Sequence, residues 1–171
     1  MIGKSVTIAV ALAIVASAFA DQGAVEVTQA WSRETPPGAP VGVVYFTINN
    51  HGHGNDRLVG VRTPVAGKAE MHTSVMEDGL MKMRPLKAVD VAPGKPTMFQ
   101  PGGNHVMLMQ LKNPLKKGES FPMTLSFEQA GDVAIQVTVE QIGAVRAGSH
   151  EGHGDAGHSS TSHSTSTKTT P

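Results

Sequence analysis

Alternating apolar and polar residues dominate the chain from Val25 to about Ile142. In the clearest stretch, 134–139 (Ala-Ile-Gln-Val-Thr-Val), alternate side chains would face opposite sides of a β-strand. No stretch repeats its apolar residues about every 3.6 positions, so the pattern favours strands over amphipathic helices. We predict strands at Val25–Trp31, Val43–Asn49, Arg57–Thr63, Ala69–Val75, Leu80–Arg84, Lys87–Val91, His105–Leu111, Met123–Phe127 and Val133–Ile142.

Turn residues separate these predicted strands. Several short strands at this spacing indicate a β-sandwich or a β-barrel. A segment of about 120 residues is long enough to build one independent hydrophobic core. The separating segments include 36–38, 50–52, 77–79, 93–94, 101–103 and 117–118.

The first twenty residues have a different character. Lys4 precedes an apolar run from Val6 to Val15, and the small residues Ala18 and Ala20 suit the −3 and −1 positions of a cleavage site. The run is too short to remain in a bilayer as a spanning helix. We therefore predict a signal peptide over residues 1–20 and an exported protein.

After Ala144 the composition shifts to Gly, Ser, Thr and His. We predict a folded β domain over residues 21–144 and a disordered tail over 145–171, because the tail has too few apolar side chains to offset its ordering entropy. The tail could wrap a divalent ion, Cu(II) most favourably, although its histidines also suit a solvated low-complexity segment. Its four histidines are His150, His153, His158 and His163.

Charge and cysteine content narrow the function. The chain has 14 Lys and Arg against 14 Asp and Glu, which argues against nucleic-acid binding. It has no cysteine, which excludes disulfides, thiolate zinc sites, thiol redox motifs, a blue-copper ligand and a cysteine-borne lipid anchor. Nine methionines and eight histidines remain as soft or borderline metal ligands. The sequence contains neither a G-x-S-x-G nor an H-E-x-x-H motif, so neither of these catalytic signatures indicates an enzyme.

Two His/Met pairs are candidates for a shared metal site. A turn at 77–79 that pairs Met76 with Gly79 or Leu80 would bring His72 opposite Met83 to within one residue. His105 and Met107 are two positions apart on a predicted strand and so face the same side. Two imidazoles and two thioethers would form a neutral His2Met2 site that favours Cu(I).

Other methionines, aromatics and histidines suit structural roles. Trp31 and Tyr45 are expected in the core, and His51 and His53 in a polar surface loop. Lys82 and Arg84 are expected on a strand face. Methionine is a flexible core filler, and we assign that role, or a hydrophobic collar, to Met71, Met76, Met81, Met98, Met109 and Met123.

The spacing of the four candidate ligands resembles the signature of periplasmic PCu(A)C copper chaperones. In that signature, ten residues separate His from Met, twenty-one separate this Met from the next His, and one separates that His from the last Met. Positions 72, 83, 105 and 107 match every interval. The surrounding segments 31–33, 36–38, 45–47, 79–85 and 101–109 are also similar to this family.

The resemblance implies a cupredoxin-like Greek-key β-barrel that binds one Cu(I) through His72, Met83, His105 and Met107. It also implies a periplasmic role in supplying copper to the CuA centre of cytochrome c oxidase, alongside Sco-type chaperones. Copper buffering for tolerance is an alternative that uses the same residues. An enzyme or electron carrier is a third, weaker alternative, because there is no cysteine and no catalytic motif.

Overall fold

The computed structural model describes residues 24–148, which form ten β-strands and no helix. The all-β prediction is confirmed. The strands are β1 (Val25–Arg33), β2 (Val41–Asn50), β3 (Asp56–Arg62), β4 (Ala66–Glu77), β5 (Leu80–Pro85), β6 (Val89–Val91), β7 (Thr97–Phe99), β8 (Asn104–Leu111), β9 (Ser120–Phe127) and β10 (Gly131–Glu140).

Strand β7 has no counterpart among the predicted strands. It has three residues and lies between Pro96 and Pro101, so it is too short to show an alternating pattern. The other nine strands coincide with predicted ones, most with longer bounds. The predicted signal peptide and the four tail histidines lie outside the described residues.

The ten strands form one sheet in the order β5-β4-β8-β7-β2-β1-β10-β9-β3-β6, and β2 also pairs with β8. Most neighbours are antiparallel, whereas β1 runs parallel to β10 and β7 runs parallel to β8. Strands β3 and β4 lie near opposite ends of this order and yet contact each other, so the sheet closes around its interior. One hydrophobic core fills that interior, with Phe46, Leu58, Leu108 and Leu125 fully buried.

A second, smaller apolar cluster lies on the outer face of β1 and β2. The rings of Trp31 and Tyr45 are buried there with their centroids 4.7 Å apart, and the Arg33 guanidinium lies over both. After β10 the chain turns back over them, because Arg33 Nε donates to the Ala144 carbonyl at 2.8 Å. The expected burial of both aromatic residues is confirmed, in this cluster rather than in the main core.

Buried polar groups elsewhere in the domain have partners. The Asp56 carboxylate accepts the backbone N–H groups of Arg57, Gln129 and Ala130 at 2.6–2.9 Å. The Asn50 amide donates to two backbone carbonyls. The domain thus follows the rule that buried polar atoms are hydrogen-bonded, which makes any exception informative.

Within residues 24–148 there is no helix with the length and apolar character needed to cross a bilayer.

Candidate metal centre

The four candidate ligands lie on three adjacent strands, β5, β4 and β8. His72 on β4 is paired directly with His105 on β8. Paired residues share a face of the sheet, and so do residues two positions apart on one strand. Met107 follows His105 by two positions, and Met83 is paired with Ser74, two positions from His72. All four side chains therefore project from one face.

That face is the outer one. The residues that alternate with the ligands, Met71 on β4 and Val106 on β8, belong to the main core. Val43 on β2 is paired with Met107 and packs against the Trp31 and Tyr45 cluster. The site is therefore built on a packed sheet and extends from the β4–β5 hairpin, which carries His72 and Met83, toward the outer aromatic cluster.

The hairpin register differs from the predicted one. Asp78 and Gly79 both have positive φ, 52° and 76°, and they form a two-residue turn closed by the pair Glu77 and Leu80. Glu77 thus belongs to the strand, so the predicted three-residue turn is wrong. His72 is consequently paired with Pro85, and Met83 is its diagonal neighbour. Diagonal positions are about 7–8 Å apart, within reach of a long side chain such as methionine.

His105 is buried, with 4% of its surface exposed. Its Nδ1 lies 2.9 Å from the Gly103 carbonyl oxygen. A carbonyl can only accept, so Nδ1 carries the proton and Nε2 keeps its lone pair in the neutral ring. The Gly103 carbonyl also accepts the backbone N–H of Ser74 at 3.2 Å, which ties this turn to β4. The backbone therefore sets the tautomer in which Nε2 is free to bind a metal ion.

His72 is oriented by a carboxylate. Its Nε2 lies 3.3 Å from Oε2 of Glu70, which projects from the same face of β4. Hydrogen bonds from Lys68 and from His72 hold the pKa of the Glu70 carboxyl below its ordinary value, so this group is an acceptor at neutral pH. The proton of the neutral ring is then on Nε2, and Nδ1 is left with its lone pair.

The two remaining imidazole nitrogens have no partner in the protein. Among residues 24–148, His72 Nδ1 and His105 Nε2 are the buried side-chain nitrogen or oxygen atoms that lack a hydrogen bond. Leaving a buried acceptor unpaired costs about 1–3 kcal/mol. The two rings lie on paired residues of neighbouring strands, with their centroids 6.1 Å apart and their planes tilted by 34°. An imidazole nitrogen binds metal at about 2 Å, so two rings that share an ion place their centroids at most about 6 Å apart.

The two thioether side chains differ in their exposure to solvent. Met107 is half-buried, whereas Met83 is 60% exposed on β5. The four donors carry no charge, and sulfur prefers soft ions, so the set suits a soft monovalent cation better than Ca²⁺ or Mg²⁺.

The structure also shows where the other methionines, histidines and charged residues of the sequence analysis lie. Met71 and Met123 are buried in the core as predicted, whereas Met76, Met81 and Met98 are exposed, which excludes core filling for these three and leaves the predicted alternative of a hydrophobic collar. Lys82 and Arg84 lie on the other face of the hairpin, where both bind Glu77. His51 is in an exposed loop, and its Nε2 lies 3.2 Å from Oε2 of Glu26.

Sequence reasoning missed the two groups that orient the imidazoles. The role of Glu70 could have been predicted, because a carboxylate two positions before a histidine on a strand projects from the same face. The role of the Gly103 carbonyl could not have been predicted, because its direction depends on the conformation of the turn before β8.

The two histidines are expected to be opposite tautomers in the metal-free protein. Two-bond ¹H–¹⁵N spectra of the imidazoles above pH 8 should show Nδ1–H for His105 and Nε2–H for His72. Glu70→Leu should release His72 into a tautomer mixture and leave His105 unchanged, because a backbone carbonyl holds the latter. His53, on the exposed loop, is the reference for an unrestrained ring. The same tautomer on both site histidines would contradict the assignment.

Comparisons with known proteins place the domain in a family. The model of the LpqE-like family, described as "Putative lipoprotein LpqE-like", matches residues 25–139. A Leifsonia xyli subsp. xyli (strain CTCB07) protein named "Putative lipoprotein Lxx21020" is 30% identical over 117 residues, which are 68% of this chain and 69% of that protein.

Two solved structures are similar as well. The copper-bound PCuAC domain from PmoF2 is 27% identical, with a TM-score of 0.60 over 70% of this chain and 94% of that one. The solution structure of CuI-DR1885 from Deinococcus radiodurans is 31% identical, with a TM-score of 0.51 over 66% of this chain and 75% of that one. These likenesses confirm the predicted cupredoxin-like fold. The chain belongs to the LpqE-like family and is a PCuAC-domain protein.

Proposed function

We propose that this protein is a periplasmic copper chaperone that carries one Cu(I) on His72, Met83, His105 and Met107. The observation that carries the proposal is the pair of buried imidazole nitrogens without a partner, on the same face as two thioethers. The copper-bound state of the similar PCuAC domain and the Cu(I) form of the Deinococcus protein support it.

The donor set favours Cu(I) over other ions of an exported protein's surroundings. Thioether sulfur is soft and imidazole is borderline, whereas hard cations prefer carboxylate and carbonyl oxygen. Neutral donors leave the full charge of the ion uncompensated, and no thiolate holds it tightly. We expect such a site to bind Cu(I) and to release it to a competing ligand.

The position of the ligands suits transfer. Three of them are wholly or partly buried on β4 and β8, and Met83 is exposed on β5. An incoming ligand can therefore replace Met83 first, while the imidazoles still hold the ion. Exchanging donors one at a time would keep copper from becoming free. This role is binding and transfer, not enzymatic turnover.

The recipient is proposed from the family resemblance. We infer delivery to the copper subunit of cytochrome c oxidase at its CuA centre, with a Sco-type chaperone as a further partner. Copper buffering for tolerance is the second candidate, because the same four ligands would store the ion.

Removing one imidazole and one thioether should abolish tight Cu(I) binding. In a competition against a Cu(I) chelator, His72→Ala with Met83→Leu should lower the affinity by more than about 100-fold, because two of four bonds are lost. The variant should stay folded, since both side chains project from the outer face.

A matched double variant controls for surface change. His51→Ala with Met98→Leu removes an exposed histidine and an exposed methionine outside the site and should retain wild-type affinity. X-ray absorption of the wild-type Cu(I) form should report both sulfur and nitrogen ligands. Unchanged affinity in the site variant, or a spectrum without sulfur, would reject the ligand assignment.

Delivery and buffering differ in what a deletion strain loses. Under delivery, the strain should lose cytochrome c oxidase activity in low-copper medium and regain it with the wild-type gene but not with the His72→Ala, Met83→Leu gene. Under buffering, oxidase activity would be normal and growth would be sensitive to high copper. The second pattern would replace delivery with buffering.

We further propose that His150, His153, His158 and His163 in the tail capture Cu(II). Truncation after Gly148 should lower the number of Cu(II) ions bound and leave Cu(I) affinity at the domain site unchanged. Equal Cu(II) stoichiometry in the full and truncated chains would remove the tail from the mechanism.

A further inference from the structure

A second group of thioethers lies at the tip of the β4–β5 hairpin. Met76 and Met81 are paired directly across the two strands, one pair before the turn. The Cβ atoms of directly paired residues are about 4.5–5.5 Å apart, so these two sulfur atoms can bind one ion without backbone movement. Both side chains are open to solvent, at 64% and 56% exposure.

This methionine pair shares the face of the four-ligand site. Met76 lies four positions after His72 on β4, and Met81 lies two positions before Met83 on β5, so alternation puts all of them on one side. Residues two apart on a strand are separated by about 6.6 Å along it. The thioether side chains of Met76, Met81 and Met83 are therefore neighbours on one face, between the hairpin tip and the proposed site.

The opposite face of the same hairpin holds the strands in register. The Glu77 carboxylate accepts from Lys82 Nζ at 3.1 Å and from Arg84 Nε at 2.7 Å. These three charged residues alternate with the methionines and face the other way. The hairpin thus has one charged face that fixes its shape and one thioether face that makes no core contact.

We propose that Met76, Met81 and Met83 form a second, weaker site for a soft monovalent cation, through which Cu(I) enters and leaves the four-ligand site. This inference rests on the proposed function. The three donors are neutral thioethers, so the site would reject hard cations and would not titrate in the physiological range.

Met83 belongs to both sites, and that sharing defines the transfer step. The ion keeps its bond to Met83 while bonds to Met76 and Met81 break and bonds to the two imidazoles and Met107 form. Two donors are exchanged in turn and a third is added, so the ion passes from three donors to four, at +1 throughout and with no electron transferred. Copper would therefore move along the hairpin face without being released.

The test uses the full chain labelled at the methionine methyl groups with ¹³C and titrated with Ag(I), a soft monovalent ion that needs no reductant. The first equivalent should shift the methyl signals of Met83 and Met107. The second should shift those of Met76 and Met81. Met98, which is 52% exposed on β7, is the internal control and should not move.

Two variants separate the sites. Met76→Leu with Met81→Leu should bind the first equivalent as wild type does and fail to bind a second, whereas Met98→Leu should behave as wild type throughout. His105→Ala should lose the first-site response of Met107 and still shift Met76 and Met81.

The outcomes distinguish this inference from the proposed function. If Met76 and Met81 stay unmoved through two equivalents while Met83 and Met107 respond, the second site is rejected and the proposed function stands. If Met83 and Met107 do not respond to the first equivalent, the proposed function itself fails.

Discussion

The direct pairing of His72 with His105 across β4 and β8 is the constraint on which the site depends. A shift of one residue in this register would turn His72 into the core and Met71 out of it, because successive side chains on a strand alternate. Met71 and Val106 oppose such a shift, since both are buried in the main core. The hydrophobic core on one face of the sheet therefore holds the imidazoles in place on the other.

Each imidazole is left with one ring nitrogen free, Nε2 in His105 and Nδ1 in His72, and the two do so by different means. A neutral backbone carbonyl holds His105, and an ionised carboxylate holds His72. A carboxylate partner makes an imidazole a stronger donor to metal than a carbonyl does. We therefore expect His72 on β4 to bind a cation more strongly than His105 does. His105 on β8, which the backbone holds, should instead fix the position of the ion.

Much of the fold and of the donor set could be predicted from the sequence, because period-two alternation marks strands and their faces. The i, i+2 relation of His105 and Met107 needed no structure. The register between His72 and Met83 could be read only from the structure, because it depends on whether Glu77 belongs to the turn. A difference of one residue in turn length changes the partner of every residue in the hairpin. Strand β7 was not predicted, because three residues are too few to show an alternating pattern. The unpaired Nε2 of His105 could not be predicted, since it follows from the direction of the carbonyl at Gly103, whereas the unpaired Nδ1 of His72 follows from Glu70, two positions away on the same strand.

Strand β5 stands at the end of the sheet, with all six of its residues exposed. A strand in that position offers open backbone groups to any chain that can extend the sheet, including a second copy of itself. Its sequence counters this, because Lys82 and Arg84 repel an identical strand and Pro85 has no N–H to donate. The protein can therefore display an apolar sulfur ligand at its rim and remain resistant to edge-to-edge aggregation.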